Sequence, residues 1–226
     1  MGDKTRKSEL FEEFARVGKA LANGKRLELL DLLSQGERSV ETLAAAAGLG
    51  LSTASAHLQT LRQAGLVTTR RDGNRIHYDL AGPDVLRLYS LLRSVAQEHV
   101  TDVESKRIAY LGLEGARAND EEVTREDLLT RAGAGTVTIL DVRPDEEYDA
   151  AHIPGALSIP LEQLRDRLSE LPEDSEIVAY CRGAYCVLAY EAVDLLRSAG
   201  RSASRLNEGM LEWRLRGLPM ATGRAA

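Results

Sequence analysis

Apolar positions recur at helical spacing through the first 65 residues and give way to short strand-like runs later. Leu10, Phe11, Phe14, Val17, Gly18 and Leu21 form one helical stripe, so a first helix is expected from Leu10 to Leu21. A second is expected from Arg26 to Leu33, ending near Gly36, and a third from Val40 to Ala47, stopped by Gly48. A fourth runs from Ser52 to Ala64, with Gly65 just past its C-terminus. Leu66 to Arg71 and Arg75 to Leu80 flank Asp72-Gly73-Asn74, a turn suited to positive φ, and read as a β-hairpin. Val85 to about Leu111 reads as one long helix. Residues 112 to about 122 are small and polar, and a linker is placed at 112–120. Two domains follow, 1–111 and 121–226. In the second, strands at 136–140, 177–180 and near 204–206 alternate with helices at 161–168 and 187–198, which implies an α/β fold with a parallel sheet.

Short helices followed by a hairpin is the order of a mainly-α winged helix-turn-helix. Gly48-Leu49-Gly50-Leu51 joins the third and fourth helices, and the second helix of such a pair enters the DNA major groove. At about 100° per residue, Ala54, Leu58 and Leu61 share a buried face. Ser52, Ala56, Gln59 and Gln63 stand opposite, flanked by Ser55 and Thr60, and suit base edges and thymine methyls. His57 falls at the boundary. Arg70, Arg71, Asn74 and Arg75 crowd the hairpin tip; they read as phosphate or minor-groove contacts, or as a solvated surface.

Charge separates the halves. Residues 1–97 carry 14 Lys and Arg against 11 Asp and Glu, leaving 15 against 24 of the chain's 29 and 35 for the remainder. A slightly basic first half and an acidic second half suggest different partners. No apolar run is long enough to span a bilayer, and Met1 to Lys7 lacks the apolar stretch of a signal peptide. The expected location is cytoplasmic, with no membrane partner and no cofactor.

Two cysteines are present, both in Cys181-Arg182-Gly183-Ala184-Tyr185-Cys186. In a reducing compartment such a pair is reactive or metal-binding more often than a staple. The loop follows Ile177 to Tyr180, a strand, and opens a helix at Val187. Loop amides and the positive end of that helix both favour thiolate, so Cys181 is expected to be a sulfur nucleophile. Arg182 can add positive charge for an anionic donor.

Leu21 to Leu30 together with Ser52 to Val67 resembles the ArsR/SmtB family of bacterial repressors, over residues ~10–100. The resemblance implies a homodimer on palindromic double-stranded operator DNA, with Ser52, Thr53, Ser55, His57 and Gln59 on the recognition helix. Metal-sensing members carry cysteines in the third helix, where this chain has Glu37 to Ala44 and no thiol. His99 is the lone histidine of the last helix, beside Asp84 and Glu98. No metal site is expected, and a signal must enter elsewhere.

Residues ~121–223 resemble a rhodanese domain. The matching pieces are Ile139 to Tyr148, Ala151 to Pro160, the cysteine loop, Asn207 to Arg214 and Gly217-Leu218-Pro219. The resemblance assigns Cys181 as a nucleophile that takes the outer sulfur of thiosulfate, a polysulfide or a small persulfide. Asp141 and Arg143 are expected to fix the loop after a strand, His152 to anchor a turn and Trp213 to be core. Cys186 reads either as a resolving thiol or as a small apolar residue on the next helix. The function expected is a repressor that senses sulfane sulfur or thiol redox state through Cys181 and Cys186. The alternative is a sulfurtransferase with an autoregulatory DNA-binding domain.

Overall fold

The computed structural model describes residues 4–114 and 122–223 and divides into two units, Met1–Ser94 and Val95–Ala226. The first unit holds α1 (Lys4–Leu21), α2 (Gly24–Leu33), β1 (Arg38–Ser39), α3 (Val40–Ala46), α4 (Leu51–Gln63), β2 (Val67–Asp72) and β3 (Arg75–Leu80). Helix α5 (Pro83–His99) begins in this unit and ends in the next. Strands β2 and β3 pair antiparallel around the Asp72–Arg75 turn, with Gly73 at φ 56°, and β1 adds to β3. Leu29, Leu30, Leu33, Leu43, Leu58, Leu61 and Tyr78 close the core. Local chemistry starts the helices: the Asn23 side chain accepts from the Arg26 amide, and Ser39 from the Thr42 amide.

The expected single helix from Val85 to Leu111 is two. α5 stops at His99 and α6 (Asp102–Leu111) starts afresh. Val100 and Thr101 are β-branched and poor helix formers, whereas Asp102 and Glu104 in the next turn favour a new N-terminus. Gly112 then ends α6 at φ 65°. The expected linker lies from residue 115 onward outside the described residues.

The rest of the second unit runs β4 (Glu122–Val123), α7 (Arg125–Gly133), β5 (Val137–Asp141), α8 (Asp145–Ala150), β6 (Leu157–Ser158), α9 (Leu161–Leu164), β7 (Glu176–Tyr180), α10 (Leu188–Ser198), β8 (Ala203–Leu206) and α11 (Met210–Leu215). The expected helix 161–168 is shorter, followed by a separate 3-10 turn at Leu168–Glu170. All five strands are parallel, in the order β4-β8-β7-β5-β6. The two-residue edge strands β4 and β6 are too short to show a period in sequence. Strand alternation sorts the core into two layers. Ile177, Ala179 and Cys181 face α9 and α10, while Val178 and Tyr180 pack with Leu128, Met210 and Trp213 on the other side.

Candidate functional site

The two-residue period of β7 carries past its end and turns Cys181 toward α10, into the cluster of Leu140, Val142, Ala189 and Cys186. The loop then returns over the start of α11. Met210 and Leu211 donate their amides to the Cys181 and Arg182 carbonyls at 3.1 and 2.9 Å. Glu212 accepts the Gly209 amide at 3.0 Å and also crowds Gly183, where a Cβ would stand 2.9 Å from its Oε2. The Asn207-to-Arg214 segment thus forms the floor on which the cysteine loop is moulded.

Both thiols are free and buried, Cys181 at 2% and Cys186 at 8% exposure. Cys181 Sγ lies 3.4 Å from the Cys186 carbonyl and 3.9 Å from that of Gly183, and its thiol also faces the Cys186 sulfur. Burial pushes the Cys181 thiol well up, and the neighbouring Cys186 reinforces this, against the pull of the Ala189 and Gly183 amides. Cys186 is held below its ordinary value, first because the Cys181 thiol donates to it, then because the Arg182 and Leu188 amides and the Arg182 charge favour its thiolate. Burial thus offsets the helix-start effect expected at Cys181, whose thiol is pushed up, whereas Cys186, just before α10, is held below its ordinary value. Cys186 stands beside Cys181 and in the same apolar cluster.

Arg182 is committed. Its guanidinium meets Glu147 twofold, Nη2 to Oε1 at 2.6 Å and Nε to Oε2 at 3.0 Å, and Glu147 is 1% exposed. Arg182 thus hydrogen-bonds Glu147 while its charge also acts on Cys186. Sequence reasoning missed Glu147. The one signal was its place in the Asp145-Glu146-Glu147-Tyr148 run, whose fourth member is apolar.

Asp141 and Arg143 form a wholly buried pair, Nη2 to Oδ2 at 2.6 Å. Burial works against the Arg143 charge, and Asp141 overrides it, so the guanidinium pKa is raised. Arg143 also donates to the Ala151 carbonyl at 2.8 Å, tying the end of β5 to the segment after α8. His152 is buried, stacks on Tyr148 at 3.7 Å and 7°, and meets the Tyr148 carbonyl through Nδ1 at 2.9 Å. Its backbone exchanges hydrogen bonds with Ala221. These are the contacts of an anchor. Trp213 is 1% exposed and donates to the Pro219 carbonyl at 2.8 Å. Ala184 and Tyr185 form the half-buried crest of the loop.

On α4, Ala54, Leu58 and Leu61 are buried as the wheel requires. Ser52, Thr53, Ala56 and Thr60 are exposed, and Ser55, His57 and Gln59 are half-buried. Gln59 donates to Tyr78 Oη at 3.1 Å, and Thr60 to the Ala56 carbonyl at 3.0 Å. At the hairpin tip Arg71, Asn74 and Arg75 are exposed, whereas Arg70 is held twofold by Glu37, its Nε 2.9 and 3.1 Å from the two oxygens. Among the described residues no group of three or more His, Cys, Asp or Glu stands where it could hold a metal ion. No described helix is long and apolar enough to cross a membrane.

Residues 23–69 match the family model of the bacterial regulatory protein arsR family, and residues 124–216 match that of the rhodanese-like domain. The chain is 55% identical over 222 residues to the HTH-type transcriptional regulator Rv0324 of Mycobacterium tuberculosis, spanning 98% of this chain and 96% of that one. This chain is an ArsR-family transcriptional regulator with a C-terminal rhodanese domain. The rhodanese part is 33% identical over 101 residues to a sulfurtransferase of Allochromatium vinosum, covering 45% of this chain and 92% of that protein. A solution structure of the homodimeric winged helix-turn-helix domain of a possible ArsR-family regulator from Mycobacterium bovis is 56% identical. It covers 44% of this chain and 93% of its own, with a TM-score of 0.42.

Two hollows border the cysteine loop of this ArsR-family regulator. One, of about 250 Å³, is lined by Val142, Pro144, Pro160, Leu161, Glu162, Arg182 and Leu188. The other, of about 360 Å³, is lined by Tyr185 and by Val100, Val103, Lys106, Arg107 and Tyr110 on and before α6. Tyr185 Oη donates to Gln97 Oε1 in the last turn of α5 at 2.6 Å. Gln97 and the cysteine loop lie in the same unit, Val95–Ala226.

Proposed function

We propose that this regulator binds a palindromic operator as a homodimer and that sulfane sulfur reaching Cys181 and Cys186 changes its affinity for DNA. The observation that carries this reading is the pair of free, buried thiols brought into one cluster by the rhodanese loop of a DNA-binding protein. Cys186 takes the Cys181 proton, and the Cys181 thiolate attacks the outer sulfur of a donor RSSH. Cys181–S–SH forms and RS⁻ leaves, recovering the proton from Cys186. The Cys186 thiolate then attacks the inner sulfur, giving the Cys181–Cys186 disulfide and releasing HS⁻. A reducing cytoplasm returns the thiols.

The response needs a path from loop to DNA reader, and we assign it to α5, whose last turn holds the Gln97 that Tyr185 meets within the same unit. Either product demands that a closely packed loop rearrange, which biases α5. Ser52, Thr53, Ser55, Ala56 and His57 are assigned to base reading and Arg71, Asn74 and Arg75 to the DNA backbone. The dimer reading rests on two uncovered apolar stripes: Leu10, Phe11 and Phe14 on α1, and Leu88, Leu91 and Val95 on α5.

The test is fluorescence anisotropy of the full chain on its promoter DNA, reduced and then polysulfide-treated, beside Cys181→Ser and Tyr185→Phe. We expect a change of about tenfold or more, roughly 1.4 kcal/mol, in the wild type alone. Tyr185→Phe should gain sulfur yet respond weakly. Equal affinity in both states refutes sensing. The likeness to a sulfurtransferase supports a second reading, in which the loop turns over sulfur and the DNA-binding unit regulates its own gene. Steady thiol-dependent turnover unaffected by DNA would favour that reading.

A further inference from the structure

The hollow of about 360 Å³ beside α6 is built within the second unit alone, since every residue lining it belongs to Val95–Ala226. Val103 and Tyr110 lie on one face of α6, and Val100 just precedes the helix. Tyr185, on the crest of the cysteine loop, adds a second ring, and its hydrogen bond to Gln97 at 2.6 Å holds that ring in place. The side chains of this wall are left open: Val100 is 53% exposed and Tyr110 63%. Large apolar side chains gathered around a concave surface mark a place for a ligand. The volume is near the small end of the roughly 300–1,000 Å³ range of such sites, which suits one compact molecule.

The surface inside the hollow is almost wholly apolar, so Asp102, Lys106 and Arg107 line it with their carbon stems. Their charges select among apolar ligands. Arg107 is already paired with Glu104, Nη2 to Oε1 at 2.7 Å and Nε to Oε2 at 2.9 Å. Asp102 stands in the first turn of α6, where the positive end of the helix favours a carboxylate. Lys106 is exposed and forms no ion pair among the described residues. It is therefore the cation left to meet a ligand. Two tyrosine rings favour an aromatic body, because ring pairs gain more than their buried area alone supplies.

We propose that this hollow binds a small aromatic carboxylate, its ring against Tyr110 and Tyr185 and its charge beside Lys106. The site needs neither thiol, so it stands apart from the sulfur chemistry and gives the protein a second input. A ligand there lies against Tyr185, the neighbour of Cys186 in the loop.

The test is calorimetric titration of the reduced full chain with 2-naphthoate and with its uncharged analogue 2-naphthamide. We expect saturable binding of one naphthoate per chain, about three- to fivefold tighter than naphthamide, the range of an exposed ion pair. Lys106→Gln should abolish that preference and leave naphthamide binding unchanged. Tyr110→Ala should weaken both by roughly tenfold through lost ring contact. Both positions are exposed, so neither substitution disturbs the core. No saturable binding, or binding that ignores Tyr110→Ala, overturns the site. A preference for naphthoate that is absent, or that survives Lys106→Gln, overturns the carboxylate class. If naphthoate fails to bind and light scattering shows Tyr110→Ala lowering the oligomeric state, a second copy covers the hollow and the proposal falls. None of these outcomes touches the reading of Cys181 and Cys186, which is tested with sulfur donors.

Discussion

Replacing Gly209 by alanine tests whether the cysteine loop is held by the start of α11. Gly209 has φ −146°, an extended value open to any residue, so the constraint is not backbone strain. It is contact. A Cβ there would stand 2.4 Å from the Gly183 nitrogen, 2.5 Å from the Cys181 oxygen and 2.6 Å from the Gly183 Cα. All three are backbone atoms and cannot swing aside as a side chain would. Either the loop or α11 must move, and with it the Met210 and Leu211 hydrogen bonds to the Cys181 and Arg182 carbonyls. Two such bonds contribute about 0.5–1.5 kcal/mol each, and overpacking a closed site costs about 1–3 kcal/mol. The combined loss is about 2–6 kcal/mol, against a domain stability of about 5–15 kcal/mol. Trp213 is the chain's single tryptophan and is buried in the same unit, so its fluorescence reads the unfolding of that unit alone. With a urea slope of about 2 kcal/mol per molar, the midpoint should fall by about 1–3 M. The Cys181 thiol, moved from its cover, should also react faster with a thiol reagent. A midpoint within about 0.2 M of wild type, with thiol reactivity unchanged, would refute the role given to this contact.

Iodoacetamide added to the reduced protein should label Cys186 before Cys181, because Cys186 holds the lower thiol pKa of the pair; peptides labelled first at Cys181 would reverse that assignment. Glu176 is held below its ordinary value of 4.5, chiefly by the Ser204 hydroxyl, which donates to it at 2.6 Å, and then by Arg131. A depressed carboxylate adds stability above its unfolded pKa and loses it as the pH falls through the folded value. The wild-type advantage over Glu176→Gln should thus be full at neutral pH and shrink below 4.5, and urea midpoints across pH that keep a constant gap would contradict this. Arg71→Ala should reduce the salt slope of DNA affinity by about one, while Arg70→Ala, already paired with Glu37, should reduce it less; equal slopes for the two would remove the distinction.

Much of both units was legible because it is local. The helical stripes of the first unit, the Asp72-Gly73-Asn74 turn and the β7–loop–α10 order depend on residues near one another in sequence, and the structure places them within a few positions of expectation. The buried face of α4 follows from the helical period alone. Elements of two residues, β1, β4 and β6, carry no period and exist only through pairing with β3, β8 and β5. The break at Val100 was hidden because apolar residues on either side keep a helical rhythm; helix-start chemistry at Asp102 outweighed it.

The sequence by itself determined the order of the two units, the family of each and the presence of a dithiol loop between a strand and a helix. These are properties of spacing, and spacing survives without a third dimension. Tertiary structure alone decided the chemistry of that loop. Glu147 lies 35 residues before Arg182, yet it meets the guanidinium because β5, with α8 behind it, runs parallel to β7. Burial of Cys181 against α10 pushes its thiol up while Cys186 is held below its ordinary value, although a helix N-terminus ahead had favoured a Cys181 thiolate. The reason is general: desolvation and ion pairing depend on which distant groups surround an atom, and the fold brings those groups together.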